Sequence, residues 1–309
     1  MMNGRKWTMA AISVCLMTMT ACEKGVVDEG QDTHGKADGQ EVDFRVNVKS
    51  NNAGFESEES TYPFTRITFA VLEDGSFVDQ TTQKKGDADF ADLKMKLTPG
   101  KYNAVLLAHS GNSAVGFESN VTKVVMPDRV VTDCFWCNQS FTVSENTTNV
   151  QLDLSRIVAM FRLIIADSMP SNVASMKFYY TGGSSTLNAL TGQGSANSRQ
   201  TVNIPVTADM IGKSNTFEVY TIPRPGSESL NMTVTALDAS GSEIKKIEWK
   251  EVPIAVNQIT TYKGKFFSDS GSGGDTGGDT GDDDDDKEGE VSFDITIDTS
   301  WNNQISEGY

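Results

Sequence analysis

Residues 152–185 read LDLSRIVAMFRLIIADSMPSNVASMKFYYTGGSS, and their hydrophobic pattern decides the fold class. Val150, Leu152 and Leu154 alternate with polar residues, the period-2 pattern of a strand buried on one face. Ile157 to Ala166 is then almost continuously apolar, with Arg162 its only charge. That run is too short for a membrane helix and rich in β-branched residues, so it reads as the buried strand of a sandwich. Pro170 breaks the turn from Asp167 to Ser171. Val173, Met176, Phe178 and Tyr180 begin the next strand, and Gly182-Gly183-Ser184-Ser185 ends it.

The same grammar extends outward in both directions. Before the central stretch, Val42, Phe44, Val46 and Val48 alternate with charged or polar residues. Ile67, Phe69 and Val71, then Leu93, Met95 and Leu97, then Tyr102 to Ala108, Phe141 and Val143 follow. Glu73-Asp74-Gly75 and Thr98-Pro99-Gly100 are turns between them. After the central stretch come Val202, Ile204 and Val206, then Phe217 to Ile222, and Leu230 to Ala236. Ile244 to Trp249 and Ile259 to Phe267 complete the run. Short strands at this spacing, broken by Gly, Pro, Asn and Asp, predict an all-β chain of two tandem β-sandwich domains. The first is expected over 41–153 and the second over 154–309.

The amino terminus carries a different message. Arg5 and Lys6 precede an uncharged, mostly apolar run from Trp7 to Met19, and Thr20-Ala21-Cys22 follows. A basic region, an apolar region and small residues before a cut describe a signal peptide over 1–21. A cysteine at that position makes it a lipoprotein signal, with Cys22 as the lipidation site. Two or three acyl chains make a stable anchor where one does not. The expected partner is therefore a membrane, reached through lipid on Cys22. Residues 22–40 are polar and aperiodic, a tether that spans about 60 Å fully extended and about 23 Å as a coil.

Net charge is −16 over 309 residues, but it is unevenly placed. The low-complexity insert 268–290 holds ten acidic residues against Lys287, a net of −9. A self-repelling linker accounts for Asp282 to Asp286 better than a calcium loop, whose fixed ligand spacing it lacks. Such a charge excludes nucleic acid as a partner. After the insert, Val291, Phe293, Ile295 and Ile297 alternate strictly, a last strand expected to pair within its own chain, with donation to a partner's open edge as the alternative.

Cys134-Phe135-Trp136-Cys137 is the other cysteine pair. In an exported chain it reads as a disulfide between Cys134 and Cys137, or as two oxidisable thiols. A thioredoxin-like centre would need a βαβ context, and a structural zinc would need two further ligands where the chain offers only His34 and His109. There is no Gly-x-Ser-x-Gly elbow, no metal-binding histidine pair and no phosphate loop. The expectation is a non-enzymatic binding or structural module with no cofactor. An alternative is a surface glycan-binding lipoprotein, for which Phe135-Trp136, Tyr179 and Trp301 are the candidate platform aromatics.

Five segments carry a family resemblance. They are Cys22 in its lipoprotein context; Arg66-Ile67-Thr68-Phe69-Ala70-Val71; Leu97-Thr98-Pro99-Gly100-Lys101-Tyr102 leading to Ala108-His109-Ser110; Leu154-Ser155-Arg156-Ile157-Val158-Ala159 leading to Asp167-Ser168-Met169-Pro170; and Val256-Asn257-Gln258-Ile259-Thr260 leading to Gly264 and Phe266-Phe267. In that order they resemble the fimbrillin-like lipoproteins of Bacteroidales, and most of all their minor, anchor-type subunits. The resemblance implies transthyretin-like sandwiches and a place in an outer-membrane fimbrium involved in assembly and adhesion. It also implies that the membrane holding the lipid on Cys22 is the outer membrane, and partnership with other fimbrial subunits by strand complementation. Polymerising subunits of that family are implied to lose their first strand by cleavage after a basic residue in the following loop. Here the loop after the first strand, 50–65, contains no Lys or Arg. The expected mature chain therefore starts at Cys22 and keeps its first strand. The acidic insert and the cysteine pair depart from the family pattern.

Overall fold

The computed structural model describes residues 40–50, 62–147, 149–268 and 292–301. Within them the chain is all-β, with a 3-10 turn at Pro127–Arg129 and no α-helix. The signal region and Cys22, the acidic loop 51–61 and the greater part of the insert, 269–291, lie outside the described residues.

The first half contains β1 (Val42–Ser50), β2 (Arg66–Glu73), β3 (Ser76–Lys84), β4 (Leu93–Leu97), β5 (Gly100–His109), β6 (Val124–Val125), β7 (Cys134–Val143) and β8 (Asn149–Arg156). Strands β3, β2, β5 and β7 form one antiparallel layer, and β8, β1 and β4 form the other. A short pairing of Phe135 and Trp136 with Arg156 and Ser155 joins the two. Between the layers lies a core of Phe44, Val46, Phe64, Phe69, Leu93, Leu106 and Leu152, among others.

The second half contains β9 (Ala159–Ile165), β10 (Ser175–Thr181), β11 (Thr186–Asn188), β12 (Gln193–Gly194), β13 (Gln200–Pro205), β14 (Asn215–Thr221), β15 (Ser229–Leu237), β16 (Glu243–Pro253), β17 (Ile259–Gly264) and β18 (Phe293–Asp298). Four-stranded sheets β13-β10-β15-β16 and β14-β9-β17-β18 face each other across Phe161, Phe178, Phe217, Val234 and Tyr262. The expected two-sandwich architecture is thus present. The central stretch supplies β8, the crossing at Ile157–Val158, β9 and β10.

Both sandwiches close by one rule. In the first, the earliest strand β1 pairs in parallel with the latest, β8, and antiparallel with β4. In the second, the earliest strand β9 pairs in parallel with β17, which pairs antiparallel with β18. Strand β4 thus flanks the earlier member of its parallel pair, whereas β18 flanks the later member of its own. The last strand pairs with its own chain, as its pattern and tether led one to expect.

A third core lies where the halves meet. Ala70, Leu72, Val105 and Leu107 point away from the first core and pack with Ile157, Val158, Met160, Leu187, Ile222, Ile259 and Trp301. This explains why β2 is buried on both faces rather than on alternate positions. Strand β6 of the first half also pairs with β11 of the second. The Trp136 indole donates to the Ala189 carbonyl at 2.9 Å, and Asn138 donates to that of Leu190 at 3.0 Å. Gly192 sits beneath that indole at φ +71°, where a Cβ would lie 2.6 Å from the ring, so only glycine fits.

Candidate functional site

The amino-terminal strand lies inside its sheet rather than along its rim. Residues 42–46 of β1 pair with β4, and 45–50 pair with β8. Phe44, Val46 and Val48 are buried, and the Phe44 ring packs 5.7 Å from Phe141. Removing β1 would leave an apolar slot with an unpaired strand edge on either side. Of the basic residues nearest the acidic loop, Arg45 and Lys49 lie within β1, and Arg66 opens β2 with partners on both sides. A protease needs an extended, unpaired segment.

The carboxy-terminal end is held by a buried arginine. Leu152, Leu154 and Arg156 share one face of β8, so the alternation delivers a guanidinium to an interior position. Arg156 forms a bidentate pair with Asp133, at 2.7 and 3.0 Å, with both side chains almost wholly buried. Its Nη1 donates to the Asn257 side chain at 3.2 Å and to the Trp301 carbonyl at 2.5 Å. The guanidinium lies over the Trp301 ring at 4.0 Å and the Phe135 ring at 4.8 Å. Burial pushes the Asp133 carboxyl above its ordinary value, and Arg156 pulls against that. Asn257 accepts the left-handed φ of +59° that this placement needs. One side chain thereby ties both halves to Trp301, three residues beyond the end of β18.

Where the insert leaves the second sandwich, Asp167 makes a second clasp. Its carboxylate accepts the backbone N–H groups of Phe266, Phe267 and Ser268, each at 2.8 Å, and the Ser268 hydroxyl. Desolvation raises its pKa, but these donors outweigh it and hold the carboxyl below the usual carboxylate range.

The sequence-selected residues fall as follows. Cys22 lies outside the described residues, as do His34 and Asp282 to Asp286. Cys134 and Cys137 are buried free thiols, so the candidate disulfide is not formed. Three residues apart on β7, they face opposite sides of one sheet: Cys134 enters the third core and Cys137 the first. Burial pushes both thiols up, Cys137 to about 12, away from reactive thiolate character. His109 is fully buried, with Nδ1 accepting from the Gly111 N–H at 3.0 Å and Nε2 without a hydrogen-bond partner among the described residues. Burial, and then the charge of Arg66, lower its pKa to about 4. Among the described residues no group of three or more His, Cys, Asp or Glu could hold a metal ion.

Of the candidate platform aromatics, Phe135 and Trp301 are wholly buried and Trp136 is spent between the sandwiches. Tyr179 alone is exposed. A shallow depression of about 240 Å³ lies by Asp74, Lys101, Asn103 and Ser140, smaller than the ~300 Å³ at which small-molecule sites begin. The buried Arg156 centre escaped the sequence reading. Its signal was present: a charge at an inward position of an otherwise apolar alternation calls for a buried counterion.

A family match covers residues 34–309, and so takes in both sandwiches and the last strand. The chain belongs to the DUF6562 family, a family of unknown function. No curated protein matches the chain. Among solved structures, it is similar to a fimbrial assembly protein from Parabacteroides distasonis, at 13% identity and a TM-score of 0.43, covering 84% of this chain and 100% of that one. It is also similar to a fimbrial anchor protein from Porphyromonas gingivalis, at 9% identity and 0.44, covering 82% and 96%. A tip fimbrial protein from the same organism, with a C-terminal truncation, is similar at 11% identity and 0.40, covering 83% and 99%.

Proposed function

We propose that this protein is an outer-membrane surface lipoprotein, held by lipid on Cys22, that serves as an anchor or minor subunit of a fimbrium in assembly and adhesion. Its work is binding and assembly, without catalysis. The observation that carries this reading is the seat of β1. The strand nearest the lipidation cysteine is paired on both edges and buries Phe44, Val46 and Val48. While it stays there, the lipid is tied to the folded core and no other strand can enter between β4 and β8. A subunit in that state sits at the base of an assembly. A subunit stripped of β1 would lose its lipid and gain an acceptor slot for a neighbour's strand.

The segments that carry the fimbrillin-like resemblance support the same reading by where they fall. Arg66–Val71 lies in β2, Leu97–Tyr102 turns β4 into β5, Leu154–Ala159 crosses between sandwiches, and Ile259–Gly264 is β17. These are strand-pairing and junction positions. The glycan-binding alternative loses its named platform, since three of its four aromatics are structural.

Replacing Cys22 by Ala tests the anchor. The variant should leave the membrane fraction and keep the thermal midpoint of the soluble fragment from residue 41, because the tether separates lipid from core. Unchanged membrane partitioning would remove Cys22 from the account.

A further inference from the structure

Strand β8 has a single strand neighbour over most of its length. Its residues 149–154 pair in parallel with residues 45–50 of β1. On its other edge it meets β7 only at Ser155 and Arg156, opposite Trp136 and Phe135. The Gln139 side chain adds one bond to that edge, donating to the Gln151 carbonyl at 3.2 Å. Val46 and Val48 of β1 share the first core with Val150, Leu152 and Leu154 of β8. The position of β8 therefore depends on β1 being in place.

The ladder with β1 ends at Ser50 opposite Leu154, two residues before Arg156. Leu154 and Arg156 share one face of β8, so a shift of one carries the other. Arg156 is 3% exposed, and its partners Asp133, Asn257 and Trp301 come from three separate segments. A guanidinium so buried cannot exchange them for water, so the arrangement holds or fails as a whole. Trp301 stacks in turn on Tyr220 of β14, ring centres 6.0 Å apart. Among the described residues β18 pairs with β17 alone, and its Ile295 and Ile297 are half exposed. Trp301 is thus the main buried hold on the far end of β18. The first strand and the last converge on one buried charge.

We propose that β8 and Arg156 couple the two ends of the fold, so that the seating of β1 and the seating of β18 with Trp301 stabilise each other. Loosening β1 lets β8 shift, Arg156 loses its geometry with Asp133 and Trp301, and the far end of β18 is released. The effect runs both ways, because a coupling free energy acts equally on both sites. Cutting or pulling at the amino terminus is thereby registered at an edge of the second sandwich. The coupling rests on pairing and burial alone, and holds whatever the protein binds.

Native-state amide exchange on the chain 22–309 carrying Cys22→Ala tests it. Val48→Ala trims β1 opposite Leu152. The lost apolar contact should speed exchange in β8 about tenfold and in β18 about threefold or more. Leu97→Ala trims the same core at the other end of β1 and should change β18 by less than about twofold. In return, Trp301→Ala should speed exchange of residues 149–154. Asp133→Leu with Arg156→Met fills the space but removes the arm to Trp301. In that background Val48→Ala should no longer reach β18. Far-ultraviolet circular dichroism and the thermal midpoint establish that each variant folds. Faster exchange in β8 with β18 unchanged would overturn the proposal. So would equal responses of β18 to Val48→Ala and Leu97→Ala, or a response that persists without Arg156. If Val48→Ala does not fold, Trp301→Ala decides, and unchanged exchange of residues 149–154 overturns the proposal. None of these outcomes bears on the Cys22 anchor, which is read from membrane partitioning.

Discussion

Strands β4 and β18 both edge a sheet beside the parallel pair that closes their sandwich, β4 against its earlier member and β18 against its later one, yet their apolar residues fare differently. Leu93, Met95 and Leu97 are at most 7% exposed, whereas Ile295 and Ile297 stay half in water. Both strands alternate apolar with charged or polar residues, and both pair antiparallel with a strand that lies parallel to a sandwich terminus. The difference lies in what faces them. Strand β4 has Phe90 and the aromatic group of Tyr62 and Phe64 in its core. Strand β18 has, among the described aromatic residues, only Trp249 over one end. Alternation says which side of a strand should be covered; the opposite sheet decides whether it is.

The strongest way to break this comparison is to delete β1. A chain beginning at Asn51 loses three buried side chains worth roughly 1.5–3 kcal/mol each, and β4 loses the strand that holds it. The expected loss of about 5 kcal/mol or more is comparable with the stability of a whole domain. Size-exclusion chromatography and thermal unfolding should find an aggregating or unfolded first sandwich. A monomer of unchanged midpoint would mean that β1 is not part of the core.

Loosening the far end comes next. Asp133→Ala leaves Arg156 buried without its counterion, at an expected cost of about 3–5 kcal/mol. Amide exchange in β18 should accelerate with it, because Arg156 also holds Trp301. Pairing Asp133→Leu with Arg156→Met should recover most of the loss, since breaking a buried pair costs more than replacing it. Equal stability of the single and double variants would argue against a coupled centre.

The comparison itself is measured by two truncations. Leu93→Ala should cost about 2–5 kcal/mol as a buried cavity, and Ile295→Ala less than about 1 kcal/mol as a half-exposed change. Similar losses in urea titrations would mean that Ile295 is covered in solution.

A smaller asymmetry should appear on acidification. The first sandwich buries His109, and the chain's other histidine, His34, lies outside the described residues. The His109 pKa falls from 6.5 unfolded to about 4 folded. The unfolded chain therefore takes up the proton first, so the full stability is present above pH 6.5 and is lost as pH falls towards 4. Between pH 7 and pH 5 the loss should be about 2 kcal/mol. His109→Asn, which keeps an acceptor for the Gly111 N–H, should flatten that slope. A slope equal to that of the parent protein would assign the effect elsewhere.

The strands and their order were legible because period-2 alternation and turn residues are local signals. Leu93-Lys94-Met95-Lys96-Leu97 reads as it folds, and Ile157–Ala166 is the crossing and buried strand its composition suggested. What stayed hidden depends on partners distant in sequence. Ala70 and Leu72 look like outward positions of β2 until the second sandwich packs against them. Trp301 and Phe135 look like exposed aromatics until Arg156, 145 residues from Trp301, is placed between them. The CxxC pair misled for a geometric reason, because spacing in sequence does not reveal that a strand turns its two thiols to opposite faces.

The central claim is that the chain keeps its lipidated amino terminus together with a seated β1. Mass spectrometry of the protein extracted from outer membranes tests this most directly. The account predicts an amino-terminal peptide that begins at diacylglyceryl-modified, acylated Cys22 and continues through Lys49. A mature chain beginning at Ser50, without lipid, would contradict it.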